Sequence, residues 1–102
     1  VPVGNEEGEL IAGALGDKRA IVLSHHGQLS TGTTIEEACV IAQLIERAAK
    51  LQLLAMAAGT IKPIIPALGR EAHDWIAKPK RHAAAFNYYA RQNLRQHADC
   101  LN

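Results

Sequence analysis

The feature that most constrains this chain is a run of residues with helical periodicity, Ile35 to Ala58. Thr34 and Glu37 form a capping box at its start, in which the hydroxyl accepts from the residue-37 amide and the carboxylate reaches back to the residue-34 amide. Gly59 follows the last helical residue, at a position where glycine commonly ends a helix. At 1.5 Å per residue the predicted helix is about 36 Å long.

This helix is apolar around most of its circumference. A helix with that pattern is normally buried, so we expect a structural helix with one solvent-facing edge. The rest of the 102-residue sequence offers little to cover it. We therefore expect the chain to be the C-terminal part of a larger domain. The polar edge consists of Glu36, Gln43, Arg47 and Lys50.

Two short strands are predicted before the long helix. Ala20–Leu23 is a run of four apolar residues, which is typical of a strand covered on both faces. The loop 24–27, with the sequence Ser-His-His-Gly, follows it, and Gln28–Gly32 predicts a second strand. Gly27 permits a tight turn between the two strands.

The first residues predict a strand end and a helix. Val1–Val3 reads as the tail of a strand, and a helix is expected from Glu6, with Asn5 as its N-cap and Gly16 at its C-terminal end. Its buried stripe is predicted to consist of Leu10, Ile11, Ala14 and Leu15.

Proline spacing organises the region after Gly59. Pro63 and Pro66 predict an extended crossover over Thr60–Leu68, because proline lacks an amide donor and disfavours helix before it. A helix is predicted over Gly69–Ala77, with Trp75 as its large buried anchor, and a last helix over Lys80–Ala98.

Composition excludes several functions. The hydrophobic fraction is 48%, the charged fraction 21% and the net charge +1. A nearly neutral chain gives no electrostatic basis for binding nucleic acid or anionic membranes. No apolar run reaches the roughly 18 residues of a membrane span. Because Cys39 and Cys100 show no pairing pattern and no secretory leader is visible, we expect a reduced, cytoplasmic protein.

His25 and His26 are the strongest candidates for a metal ligand or a general base. On extended backbone, neighbouring side chains point to opposite faces, so only one imidazole would face a given pocket. A histidine held at a strand end suits a metal ligand or a general base, but a structural histidine beside a turn explains the same residues. Ser24 lacks the surroundings of an activated nucleophile.

The remaining polar candidates favour structural roles. We expect surface or packing roles for the scattered histidines and a core position for Cys39. A group of basic and aromatic residues in the last helix could bind an anionic substrate or a neighbouring subunit, but a solvated helical face explains the same residues better. That group is Arg81, Tyr88, Tyr89, Arg91 and Arg95, and the scattered histidines are His73, His82 and His97.

Three segments, Arg19–Gly27, Gly32–Ala38 and Glu46–Leu53, resemble the class II aldolase/adducin family. Its members show a strand ending in Asn-His-Gly, a short strand to a glycine, and a helix that starts with Glu-Glu-Ala. The resemblance implies an α/β fold, namely the C-terminal portion of a three-layer α/β/α sandwich with a mainly antiparallel sheet. Residues 1–102 would be a partial domain, with a core over 1–59 and a C-terminal crossover and helices over 60–102.

The resemblance also implies a metal site. Catalytic members hold a divalent metal, usually zinc, with two histidines of an upstream His-x-His motif and the histidine of Asn-His-Gly. By position that third ligand is His26, with His25 in place of the usual asparagine. The sequence contains no His-x-His. We therefore expect the other ligands to lie outside these residues, and the chain by itself to be inactive.

The implied activity is metal-dependent carbon–carbon lyase chemistry of the aldolase type. The metal would stabilise the enediolate formed from a small hydroxy-carbonyl substrate, possibly a phosphorylated one. Epimerase or decarboxylase activity, or a non-catalytic adducin-like interaction module, are the alternatives within the family. Members often form homotetramers in which the C-terminal segment reaches a neighbouring site, which makes Tyr88, Tyr89 and Arg91 hypothetical contributors. No residue is assigned a catalytic role.

Overall fold

The long helix has the bounds that its sequence signals predict. In a computed structural model, which describes residues 5–101, helix α2 spans Ile35–Ala58. The Thr34 hydroxyl accepts a hydrogen bond from the Glu37 amide at 3.1 Å, which satisfies one of the open donors of the first turn. At the other end the Gly59 amide donates to the Ala55 carbonyl at 3.1 Å. Both predicted ends of the helix are confirmed.

A helix and a β-hairpin precede α2. Helix α1 spans Asn5–Leu15 and ends at Gly16, whose φ of 55° is the left-handed conformation expected of a helix-ending glycine. Strands β1 (Ala20–Leu23) and β2 (Gly27–Ser30) pair antiparallel, with Ala20 opposite Ser30 and Leu23 opposite Gly27. The first strand has its predicted bounds, and the second begins and ends earlier than predicted.

Side chains of β2 attach the hairpin to α2. The Ser30 hydroxyl donates to the Ala38 carbonyl at 2.9 Å, and the Gln28 amide nitrogen donates to the Ala42 carbonyl at 3.2 Å. The two acceptors lie one turn apart on the helix. Strand β2 therefore runs beside the first turns of α2 and is anchored there at two points.

Two helices follow, and each begins at a proline. Helix α3 spans Pro66–Ile76 and helix α4 spans Pro79–Gln96, followed by a short 3-10 turn, Ala98–Leu101. Proline is favoured at the first helical position, because the amide hydrogen that it lacks would have no hydrogen-bond partner there. The predicted crossover is therefore too long at its C-terminal end, and the predicted helix starts at Gly69 and Lys80 are too late. The last helix also ends two residues earlier than predicted.

The core is small and lies between α2 and α4. Its buried apolar side chains are Val40 and Ile41, and the buried polar residues beside them are Glu37 and His82. His82 is the one buried residue that α4 contributes among the described residues. The buried residues of both helices thus lie in their N-terminal halves.

Several predictions of burial are wrong in this chain. The residues of α2 from Glu46 onward are exposed, including Leu54 and Met56, so α2 is buried only in its N-terminal part. Val22 is 74% exposed, so β1 is not covered on both faces, and Leu10 of the predicted α1 stripe is exposed as well. Trp75 is 58% exposed and is not a buried anchor. The apolar patterns are present, but no described segment lies over them.

The architecture is mixed α/β, with four α-helices and a two-stranded antiparallel sheet among the described residues. The three-layer sandwich and the division into 1–59 and 60–102 remain predictions. The predicted strand at Val1–Val3 lies outside the described residues. None of the described helices combines the length and the hydropathy needed to cross a membrane.

Gly32 is predicted to be indispensable for the approach of the hairpin to α2. A Cβ at this position would lie 2.8 Å from the Ala38 amide nitrogen and 2.9 Å from the Glu37 Cβ, so backbone must move. We expect Gly32→Ala to lower the free energy of unfolding by about 1–3 kcal/mol in urea titrations. The control is Gly8→Ala, where no atom apart from the chain neighbours and the backbone of its own helix lies within 4 Å of the new Cβ and helix propensity should add about 0.5–1 kcal/mol. Equal effects of the two substitutions would contradict the close approach.

Candidate functional site

The two neighbouring histidines lie in the turn between β1 and β2. The His26 amide donates to the Leu23 carbonyl at 3.2 Å, which closes the turn. His25 has a φ of 64°, a conformation that is uncommon for residues other than glycine, and Gly27 has a φ of 126°. The prediction of extended backbone at these histidines is therefore wrong. Alternation across a strand does not decide which imidazole faces a site, because neither histidine is in a strand.

Both imidazoles are exposed at the tip of the hairpin. Ser24 is exposed in the same turn. The turn is nevertheless defined by its closing hydrogen bond and by the ladder of β1 and β2 that ends on both sides of it. Each histidine therefore presents two ring nitrogens to a ligand that approaches the tip. The closing hydrogen bond and the ladder hold the backbone that carries them.

At the opposite end of the hairpin, Glu37 joins three segments. Its carboxylate pairs with the Arg19 guanidinium just before β1 and accepts from the Thr33 amide at 3.4 Å and the Thr33 hydroxyl at 3.3 Å. The Thr31 amide donates to the Arg19 carbonyl at 2.7 Å, which brings the two ends of the hairpin together. The second half of the predicted capping box is therefore different: the carboxylate reaches the amide of residue 33 rather than that of residue 34.

The surroundings of Glu37 favour its charged form. Burial opposes ionisation, but the Thr33 amide, the Arg19 guanidinium, the Thr33 hydroxyl and electrostatic attraction to His82 outweigh it. The pKa of the Glu37 carboxyl therefore lies below its ordinary value. The sequence pattern predicts Glu37 as a cap but not Arg19 as its partner, because ion pairs between distant residues leave no local pattern.

His82 lies beside this group of residues. It is 5% exposed, and neither of its ring nitrogens has a hydrogen-bond partner in the described part of the chain. With Thr34, Glu37 and Asn87 it lines a cleft of about 380 Å³ between the starts of α2 and α4. The expected packing role of His82 is confirmed. The sequence does not predict that its ring nitrogens lack partners, because nothing in a polar helical segment indicates which one of its residues is buried.

The other candidates are dispersed. His73 is exposed, with its Nδ1 atom 3.4 Å from an Asp74 carboxylate oxygen, and His97 is exposed at the end of α4. Cys39 is half-buried, and Cys100 is exposed. Tyr88 and Tyr89 contact each other edge to face, with ring centroids 5.4 Å apart. The structure brings none of these residues to the turn that carries His26.

The described residues do not form a complete metal site. Within residues 5–101 no three side chains of histidine, cysteine, aspartate or glutamate converge so that they could hold an ion. The hairpin turn supplies imidazoles only, whereas catalytic zinc sites use three protein ligands. The turn can therefore contribute to a metal site but cannot constitute one.

The lowered pKa of Glu37 predicts how stability depends on pH. A carboxyl whose folded-state pKa is depressed stabilises the fold above its unfolded-state pKa, near 4.5, and this contribution disappears as the pH falls through the lower folded-state value. We expect Glu37→Gln to flatten the loss of stability below about pH 4.5 in urea titrations at several pH values. Glu36→Gln, an exposed neighbour in the same helical turn, is the control and should keep the wild-type pH profile. An unchanged profile in Glu37→Gln would show that this carboxyl is not the group responsible.

Comparison with known proteins identifies the family that this part of the chain matches. Residues 1–53, which include the histidine turn and the start of α2, match the family described as the class II aldolase and adducin N-terminal domain. Meiotically up-regulated gene 14 protein of Schizosaccharomyces pombe is 41% identical over 49 residues, which are 48% of this chain and 19% of that protein. Rhamnulose-1-phosphate aldolase of Listeria welshimeri is 39% identical over 49 residues, 48% of this chain and 18% of that enzyme.

The chain thus spans about a fifth of the length of these curated relatives. The family match covers slightly more than half of the chain and includes both strands, the turn between them and most of α2. The chain belongs to the class II aldolase and adducin N-terminal domain family.

Proposed function

We propose that this chain is part of a divalent-metal-dependent carbon–carbon lyase of the aldolase type. The observation that carries the proposal is the family match over the segment that bears the histidine turn, with a rhamnulose-1-phosphate aldolase among the relatives. The substrate we propose is a small hydroxy-carbonyl compound, and the metal we expect is zinc. Homotetrameric assembly and a cytoplasmic location belong to the same proposal.

His26 is the residue through which we propose that the chain contributes to the metal site. It is exposed at the hairpin tip, and its backbone is fixed by the hydrogen bond to Leu23. A neutral imidazole is a common zinc ligand. The remaining donors would have to come from outside residues 5–101, since no complete set is present there. His25 would set the shape of the turn, because it occupies the left-handed position.

The test of this role is the metal content of the natural polypeptide in its full length. We expect His26→Ala to lose bound zinc and the ability to cleave rhamnulose 1-phosphate, measured by elemental analysis and by aldehyde release. Loss of one of three ligands should lower metal affinity by at least about tenfold to a hundredfold, as loss of even a supporting partner does.

The matched control is His25→Asn. Asparagine tolerates the left-handed backbone, so the turn should keep its shape and the protein should keep its metal. If His26→Ala retains full zinc content, His26 is not a ligand. If His25→Asn loses zinc while His26→Ala keeps it, the ligand is His25.

A second candidate function is a non-catalytic, adducin-like interaction module. It is favoured by the apolar surface of α2 and α3. Between these helices lies a groove of about 740 Å³, and Leu51, Leu54 and Met56 are exposed farther along α2. Apolar patches of this kind commonly mark contact surfaces. The apolar residues that line the groove are Ala20, Ile41, Leu44, Ile45, Ala48, Ala72, Ile76 and Ala77.

The two candidates differ in the metal content that they predict. In the module, metal analysis of the wild type would give no zinc. In the lyase, the wild type would contain a stoichiometric amount of zinc. A wild-type protein that contains stoichiometric zinc and cleaves a substrate would exclude the non-catalytic module.

A further inference from the structure

A basic patch lies where α3 meets α4, outside the region that the family match covers. It consists of Trp75, Lys78, Lys80 and Arg81. With Pro79, these residues line a cleft of about 530 Å³, whose surface is formed mainly by carbon atoms of their side chains. The segment 78–81 carries three positive charges in four residues. None of the three cations forms an ion pair with a carboxylate among the residues that the structure describes.

The position of these charges is electrostatically unfavourable. Lys78 is the N-cap of α4, Lys80 and Arg81 are in its first turn, and that turn contains no acidic residue. The N-terminal end of a helix carries a partial positive charge, which favours anions and disfavours cations. Departures from a local rule of this kind concentrate at functional sites. A bound anion would offset the repulsion among the three cations and the helix end.

Trp75 orders two of the three cations. Its ring is 58% exposed, and the Lys78 Nζ atom lies 4.6 Å and the Arg81 Cζ atom 4.3 Å from the ring centroid. Cation–π attraction holds both cations beside the same ring at the surface. Because the aromatic ring contacts only one side of each cation, N–H groups of both remain available to a ligand. The two side chains are thus partly preorganised, which reduces the entropy cost of binding.

We propose that this basic patch is a binding site for a small phosphate-bearing anion with two or more negative charges. Arg81 offers the planar fork that matches two phosphate oxygens, and Lys78 and Lys80 add point charges. A single carboxylate would neutralise only one of the three cations, so a multiply charged phosphate compound fits the charge better. The site is separate from the histidine turn and does not depend on the proposed lyase activity.

Inorganic pyrophosphate is the probe that tests this site. Trp75 is the only tryptophan of the chain, so a saturable change in its fluorescence reports the patch specifically. Calorimetry provides a second readout that does not depend on the tryptophan. We expect binding that weakens with added potassium chloride, and at least about a tenfold loss in Lys78→Ala/Arg81→Ala, since two charged hydrogen-bond donors are removed.

The matched control is Arg47→Ala/Lys50→Ala, which removes the same charge from the exposed surface of α2. It should bind pyrophosphate as the wild type does, and circular dichroism should show both variants to be folded. Absence of saturable binding by the wild type would overturn the proposal. An equal loss in the control would also overturn it, because the attraction would then be diffuse. Binding to vesicles of phosphatidylcholine with phosphatidylinositol phosphate, without binding to pyrophosphate, would overturn a site for a small free anion.

Discussion

The interaction on which this structure depends is the buried carboxylate of Glu37. It pairs with Arg19 before β1, accepts two hydrogen bonds from Thr33, and lies in the first turn of α2. One side chain thus fixes the open end of the hairpin to the helix. The Gln28 and Ser30 bonds to α2 align β2 with the same helix. The histidine turn at the other end of the hairpin therefore has a defined position relative to α2, which a ligand-bearing turn requires.

The long helix shows how a sequence pattern and a chain's own packing can differ. Its apolar circumference indicates what α2 needs around it, and in its N-terminal part Val40 and Ile41 are buried as expected. Farther along, Leu54 and Met56 are exposed, because the described segments do not reach them. The chain spans about a fifth of the length of its curated relatives, and in the proposed lyase further protein would cover this surface.

Features with local causes could be predicted from the sequence. The capping residue Thr34 and the terminating Gly59 gave both ends of α2, and the apolar run Ala20–Leu23 gave β1 with correct bounds. The left-handed conformation of His25 could not be predicted, because the turn geometry depends on the register of the two strands. Burial of His82 and exposure of Trp75 depend on how α3 and α4 meet α2, and such contacts between distant residues leave no periodic signal. Of the candidate site, the position of the histidines in a loop was predicted, whereas the Arg19–Glu37 pair was not.

The most direct test of the central claim is nuclear magnetic resonance of the full natural polypeptide with cobalt(II) in place of its metal. If His26 is a metal ligand, its ring protons are strongly shifted and broadened by direct coordination, while those of His73 and His97 remain near their diamagnetic positions. Equal broadening of all histidines, or an unaffected His26 in a protein that has bound cobalt, would contradict the claim that the hairpin turn carries a metal ligand.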